Sequence, residues 1–219
     1  MRPIKMTEDI ALEIARGYLE ELRKNELIYD NKICYSKSLN VVNENAIKVN
    51  FTTEAYNKMM ALVDGFSSEV AWHGVVERID ETTFRIIDIL VYPQTVTGVT
   101  VNTDQSEYVK WLYGLPDEVF TNLMFQGHSH VNMETSPSGT DLNDMYELIG
   151  NLDDDDYYIF MIWNKRREFD VRVVDMAKNV IYSGADVQVS VEGFNYNNFI
   201  RDAKSQIKAQ KNKMGIKEK

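Results

Sequence analysis

His128 and His130 stand two residues apart, and Asp141 follows eleven residues after His130. At the end of an extended strand, side chains at i and i+2 share a face, so both imidazoles can reach one ion. A carboxylate at the start of a following helix completes a set of two histidines and one acid. That set suits catalytic zinc: it leaves the fourth tetrahedral position open, whereas a structural site fills all four. The chain holds three histidines and one cysteine, so a cysteine-based zinc site is excluded. A His-x-His pair alone is more often polar surface than a metal site.

The surrounding text sets this pair apart. Residues 127–141 read Gly-His-Ser-His-Val-Asn-Met-Glu-Thr-Ser-Pro-Ser-Gly-Thr-Asp. The form is His-x-His, seven residues, Ser, two residues, Asp, with Pro137 directly before Ser138. It resembles, at all four fixed positions, the JAMM signature of the MPN-type (JAB) metalloproteases, which are zinc-dependent isopeptidases and deubiquitinases. The resemblance implies that His128, His130 and Asp141 bind one zinc ion per chain. It implies that Ser138 helps stabilise a tetrahedral intermediate, and that a glutamate on an earlier strand activates the attacking water. Glu69, in Ser68-Glu69-Val70-Ala71-Trp72-His73-Gly74-Val75-Val76, fits that last role. Many relatives carry a glycine closer behind the glutamate; here the nearest is Gly74. Glu77 is the competitor, at the far end of the same strand beside Arg78. Glu69 is preferred, because a base must come within hydrogen-bond reach of the water it deprotonates.

The chemistry follows from these roles. Zinc lowers the pKa of a water to about 7 and polarises a carbonyl. Glu69 takes the water proton and delivers it to the leaving amine. Ser138 donates a hydrogen bond to the developing oxyanion, a role typically worth ~3 kcal/mol. Asp141, near a helix N-terminus, stays ionised as a ligand. His73 reads as a structural or rim residue, since the site needs an open position. Asn132 and Glu134 read as solvated loop residues. Asp153 to Asp156 lacks the glycine and distal glutamate of a calcium loop and reads as a solvated turn. The ten methionines are mostly core filler, with Met133 in the motif loop. The alternative from another class is a catalytically silent MPN-type scaffold that mediates assembly; such relatives lack one or more of the ligands, all present here. A phosphoesterase site usually has two metals and more histidines, and a zinc nucleobase deaminase needs a Cys-x-x-Cys pair.

For substrate, the resemblance implies a protein or peptide. It implies cleavage of an isopeptide bond to lysine, or of a peptide bond after the C-terminal glycine of a ubiquitin-like protein. The compact scaffold resembles prokaryotic or phage-type members, which process the tails of small proteins. Residues 93–116 stand where relatives carry a substrate-binding insertion, so Thr95, Val99 and Val101 are expected to extend a strand along a bound peptide. A net charge of −10 argues against non-specific nucleic-acid binding and against an anionic membrane surface. Cys34 reads as a small buried hydrophobe on a strand. The N-terminus has no apolar signal-peptide core and no apolar run approaches ~18 residues, so a cytoplasmic protein is expected.

The elements that must position these residues read as one α/β domain. A length of 219 residues suffices for one sizeable core, and 44% hydrophobic with 26% charged residues is an ordinary globular balance. A helix runs from Thr7 to about Asn25, with a strand at Leu27 to Tyr35. Ile47, Val49 and Phe51 alternate as a half-buried strand, and Thr52 or Thr53 opens a helix stopped at Gly65. Glu69 to Ile79 and Thr83 to Tyr92 form a hairpin, Pro93 to Thr103 a loop, and Asp104 to Tyr113 a helix. Leu123 to Gly127 is a strand running into His128. A helix from about Thr140 to Gly150 follows, then a hairpin of Tyr157 to Trp163 with Glu168 to Asp175. Further strand lies within Val180 to Val191, and a polar helix begins near Asn195. The expected architecture is a single-domain mixed, mainly antiparallel sheet flanked by helices. The resemblance implies an MPN/JAB-like layout, akin to that of cytidine deaminases. The catalytic domain is placed at residues 46–192, with an N-terminal helical extension over 1–45 and a polar C-terminal helix over 193–219.

Overall fold

The computed structural model describes residues 2–24, 35–39, 46–97, 100–193, 201 and 203. The strands are β1 (Arg2–Pro3), β2 (Ile47–Phe51), β3 (Ala71–Arg78), β4 (Thr83–Leu90), β5 (Thr95–Thr97), β6 (Thr100–Asn102), β7 (Phe125–Ser129), β8 (Tyr157–Trp163), β9 (Phe169–Asp175), β10 (Val180–Ser183) and β11 (Val187–Val191). The helices are α1 (Glu8–Lys24), α2 (Thr53–Gly65), α3 (Gln105–Tyr113), α4 (Asp117–Thr121) and α5 (Gly139–Gly150). Nine strands form one sheet in the order β1-β10-β9-β8-β7-β3-β4-β2-β11. Most neighbours are antiparallel; β7–β8, β2–β4 and β2–β11 are parallel. The α/β class and the mixed, mainly antiparallel sheet are as expected from the sequence.

Alternation along the strands gives the sheet two apolar faces. Ile47, Val49 and Phe51 of β2 and Ile159, Met161 and Trp163 of β8 point into the larger core, where α2 adds Ala55, Met59, Met60 and Val63. Thr52 caps α2 by accepting the Ala55 N–H at 3.1 Å. Tyr158 and Val174 face the other way, onto Met145 and Ile149 of α5. Burying two such side chains contributes about 1.5–3 kcal/mol each and pins the axis of α5 to the sheet.

The parallel pair β7–β8 determines where chemistry can occur. Parallel neighbours need a crossover, and α5 supplies it. A crossover helix begins where the first strand ends. The N-terminus of α5 therefore lies over the end of β7, the usual place for a site in an α/β arrangement.

Several expectations change. The stretch read as a loop, Pro93 to Thr103, contains the β5–β6 hairpin as a separate two-stranded sheet. Its run of Thr and Val favours strand, while a proline and a glycine in so short a stretch signal a loop. Helix α4 has five residues behind Pro116, too short for its periodicity to register. Arg2–Pro3 is not part of a helical extension; it pairs with Ile181 and Val180 at the sheet edge. Helix α1 forms as expected, with the Thr7 hydroxyl accepting the Ile10 N–H, but buries none of its side chains. Tyr35 lies outside any strand. The rest of the strand expected at Leu27 to Tyr35, Cys34 within it, and almost all of the C-terminal helix lie outside the described residues. Among the described residues, no helix is long and apolar enough to cross a membrane.

Candidate metal centre

Strand β7 carries the first histidine in the middle of the sheet. His128 is flanked by Ala71 of β3 on one side and Ile162 of β8 on the other. Phe125, Gly127 and Ser129 are buried on the core side of β7. Ser129 locks the strand end to β3: its N–H donates to the Val70 carbonyl at 2.9 Å, and its Oγ accepts the Val70 N–H at 3.1 Å. Gly127 is required by close approach. A Cβ there would lie 2.4 Å from Nε1 of the fully buried Trp72.

His130 lies just past the strand. Its N–H donates to the Trp163 carbonyl at 2.7 Å, and its ring sits 4.9 Å from that of His128. Its Nδ1 is 2.6 Å from the Glu134 carbonyl oxygen. A carbonyl only accepts, so Nδ1 carries the ring proton and Nε2 presents a lone pair. The next residue, Val131, has φ of 45°. That is rare for a β-branched side chain and costs of order 1–3 kcal/mol. The turn between β8 and β9 holds it there. Lys165 N–H donates to Val131 O at 2.7 Å, and the fully buried Asn164 donates from Nδ2 to Met133 O at 2.9 Å.

Asp141 is the third residue of α5, and a capping box fixes it. Its N–H donates to Ser138 Oγ at 3.2 Å, while the Ser138 N–H donates to Asp141 Oδ2 at 2.6 Å. The two carboxylate oxygens face different imidazoles: Oδ1 is 3.3 Å from His128 Nε2, and Oδ2 is 3.7 Å from His130 Nε2. One ligand atom from each of the three residues lies within 4.8 Å of the others, and this group can hold a metal ion. Bonds of about 2.0–2.1 Å in a tetrahedron put ligand atoms about 3.4 Å apart, close to the 3.3 and 3.7 Å between the two imidazoles and the carboxylate oxygens they face. His128 Nε2 is the informative atom. It is buried, makes no hydrogen bond despite its nearness to Asp141, and points at the centre of the group. Such an orphan costs about 1–3 kcal/mol, which a coordinated cation removes.

Electrostatics fit the same description. Burial pushes His128 down to about 4, against the attraction of Asp141, so its imidazole is neutral and free to ligate. Burial also acts to raise Asp141, but the His130 imidazole, the Ser138 N–H that donates to its carboxylate and the nearby His128 ring hold its carboxyl far below the ordinary range. Glu69 is 8% exposed and lines the same cleft, of about 610 Å³, as His128, His130, Ser138 and Asp141. Burial raises the Glu69 carboxyl, His130 opposes this, and Asp141 adds to it. A raised carboxyl is a better base near neutral pH. Ser138 Oγ accepts from Asp141, which leaves its own proton to donate.

The residues singled out in the sequence separate clearly. Glu77 lies at the other end of β3, opposite Arg85, and pairs with Arg85 at 3.2 Å. His73 is no ligand. It is buried beneath α3, 2.9 Å from the Tyr108 hydroxyl and stacked on Trp111. Met133 and Glu134 line the cleft. Asn132 stays exposed, its carbonyl accepting from Arg166 at 2.8 Å. Asp153 and Asp156 close a turn on each other, and Asp154 pairs with Lys5. Sequence reasoning missed Asn164, which looks like any hairpin-turn residue. It also missed Asp144, although a spacing of three from Asp141 puts both on one helix face. No protein-family model matches the chain, and no curated protein matches it.

Proposed function

We propose that the protein is a zinc-dependent metallopeptidase of the JAMM/MPN type. In this reading it hydrolyses an isopeptide or peptide bond at the tail of a ubiquitin-like or other small protein. The observation that carries this is the meeting of His128 Nε2, His130 Nε2 and the Asp141 carboxylate in a cleft that also holds Glu69 and Ser138. Two nitrogens and one oxygen favour zinc over magnesium or calcium, which prefer oxygen sets. When bound there, zinc supplies Lewis-acid polarisation of the scissile carbonyl and acidifies water. The protein residues do the rest. Glu69 accepts the proton of the attacking water and returns it to the leaving amine. Ser138 turns its free O–H towards the oxyanion. The Glu134 carbonyl keeps the His130 ring in one tautomer and orientation.

Metal analysis of the purified protein beside a Glu69→Gln variant tests the reading. About one zinc per chain is expected in both, with peptide hydrolysis in the wild type alone. A wild type that binds no zinc overturns it. Zinc binding with no hydrolysis of any ubiquitin-like or peptide substrate favours the silent-scaffold alternative. Glu69→Gln protein retains the metal site without its base, so it also serves to trap the substrate.

A further inference from the structure

A second, smaller chamber opens off the metal centre. Across the sheet, Gln126, Phe160 and Arg172 form one row, and His128, Ile162 and Asp170 form the next. Helix α5 passes over these rows. Leu142 and Met145 hang from it and, with Phe160 and Ile162, line a partly open pocket of about 50 Å³ beside His128 and Asp141. One water needs roughly 10–15 Å³ on this measure, so the space accommodates a short aliphatic chain.

The charges at this chamber are uneven. Arg172 is the cation among its lining residues, and its Nε donates to Asp170 Oδ2 at 3.1 Å. Asp144 stands where the chamber joins the larger cleft and lines both. Among the described residues, its carboxylate has no hydrogen bond and no ion pair. No lysine or arginine lines the larger cleft, whereas Glu69 and Glu134 do. Away from the metal ligands an anionic group meets like charge, and a cation meets the exposed, unengaged Asp144 carboxylate next to apolar walls.

We infer that this chamber is a subsite for a substrate side chain with an aliphatic stem and a cationic head. The stem lies against Leu142, Met145, Phe160 and Ile162, and the head pairs with Asp144. As a substrate subsite it rests on the peptidase reading; as a binding site it stands on the geometry alone.

The test uses full-length protein with ¹³C-labelled methionine methyl groups. Met145 and Met161 report on the chamber, Met133 on the larger cleft, and exposed Met6 serves as a control. The probes are pentylammonium and 1-pentanol at pH 7, with chelator present so that no metal ion draws either head group. Pentylammonium is expected to shift the Met145 signal at roughly two- to fivefold lower concentration than pentanol, the usual worth of an ion pair with an exposed carboxylate. Asp144→Asn should abolish the preference for the ammonium while the pentanol response stays. Equal responses to pentylammonium and pentanol, an unchanged ammonium response in Asp144→Asn, or shifts confined to Met133 overturn the inference. The titration needs no hydrolysis. A protein that passes it but binds no zinc sinks the peptidase reading alone. One that holds zinc and cuts peptides without an ammonium preference sinks the subsite alone.

Discussion

The Asn164 side chain donates to the Met133 carbonyl at 2.9 Å, tying the turn between β8 and β9 to the loop that carries the second histidine. Asn164 is fully buried, and its Oδ1 accepts two further N–H groups, from Arg166 and Glu168. The bond holds the loop immediately before Glu134, whose carbonyl fixes the His130 ring. Asn164→Ala removes this support from 31 residues along the chain. We expect zinc affinity to fall about 10–100-fold, the usual cost of losing an outer partner of a metal ligand. Stability should fall by about 3 kcal/mol, since several buried partners are orphaned together. Competition with a chromophoric chelator, at a temperature where circular dichroism shows the variant folded, measures the first effect. Unchanged affinity would mean that the loop holds its shape without Asn164.

Gly127 and Trp72 give a second test. With only 2.4 Å between a new Cβ and the indole nitrogen, Gly127→Ala must move either the Trp72 ring or strand β7. Trp72 is fully buried, so neither moves freely. Overpacking of this kind costs about 1–3 kcal/mol. His128 is the next residue, so a shift of β7 carries a ligand with it. Weaker zinc binding together with altered tryptophan emission is expected. A variant as stable as the wild type and equally tight for zinc would show that β7 is not held against Trp72.

The candidate ligand set was legible because strand and helix periods place side chains on faces, and the motif spans a strand end and a helix start. The spacing from His130 to Ser138 and Asp141 reads directly as loop then capping box. The choice of Glu69 over Glu77 rested on reach in the sequence. The structure adds the reason: β7 flanks β3 only from Ala71 to Gly74, so Glu77 lies beyond the cleft, beside Arg85. What stayed hidden was long-range. Nothing local shows that Asn164 grips Met133, that a backbone carbonyl orients His130, or that Arg2–Pro3 closes the sheet edge. The β5–β6 hairpin was masked by its own brevity, as was α4.

His73 makes acid stability testable. Burial holds its imidazole down to about 4, from an ordinary 6.5, beneath Tyr92, Tyr108 and Trp111. Between those values the unfolded chain binds the proton and the folded chain does not, so stability rises with pH there and is lost as pH falls from 6.5 towards 4. The full loss is about 3 kcal/mol, since each pKa unit is worth ~1.4 kcal/mol. His73→Gln can still bond the Tyr108 hydroxyl but does not titrate. Urea denaturation of both proteins, with chelator present throughout, should show the wild type losing about 3 kcal/mol more than the variant between pH 7.5 and 4. Parallel pH curves would place the acid sensitivity elsewhere.

Ser138 has two jobs in the proposed mechanism, and they can be separated. As the N-cap of α5, its Oγ accepts the Asp141 N–H. Losing a cap costs about 1 kcal/mol, and here it also loosens a metal ligand. As a donor to the oxyanion, its O–H is worth about 10²–10³ in kcat. Ser138→Ala removes both. Ser138→Asp restores a capping acceptor but offers no proton at neutral pH. We expect Ser138→Ala to lose about 1 kcal/mol of stability, and Ser138→Asp to recover most of it. Both should keep zinc, and both should lose about 10²–10³ in kcat with little change in KM. A kcat that recovers together with stability in Ser138→Asp would make Ser138 a positioning residue for Asp141 and remove it from the oxyanion site.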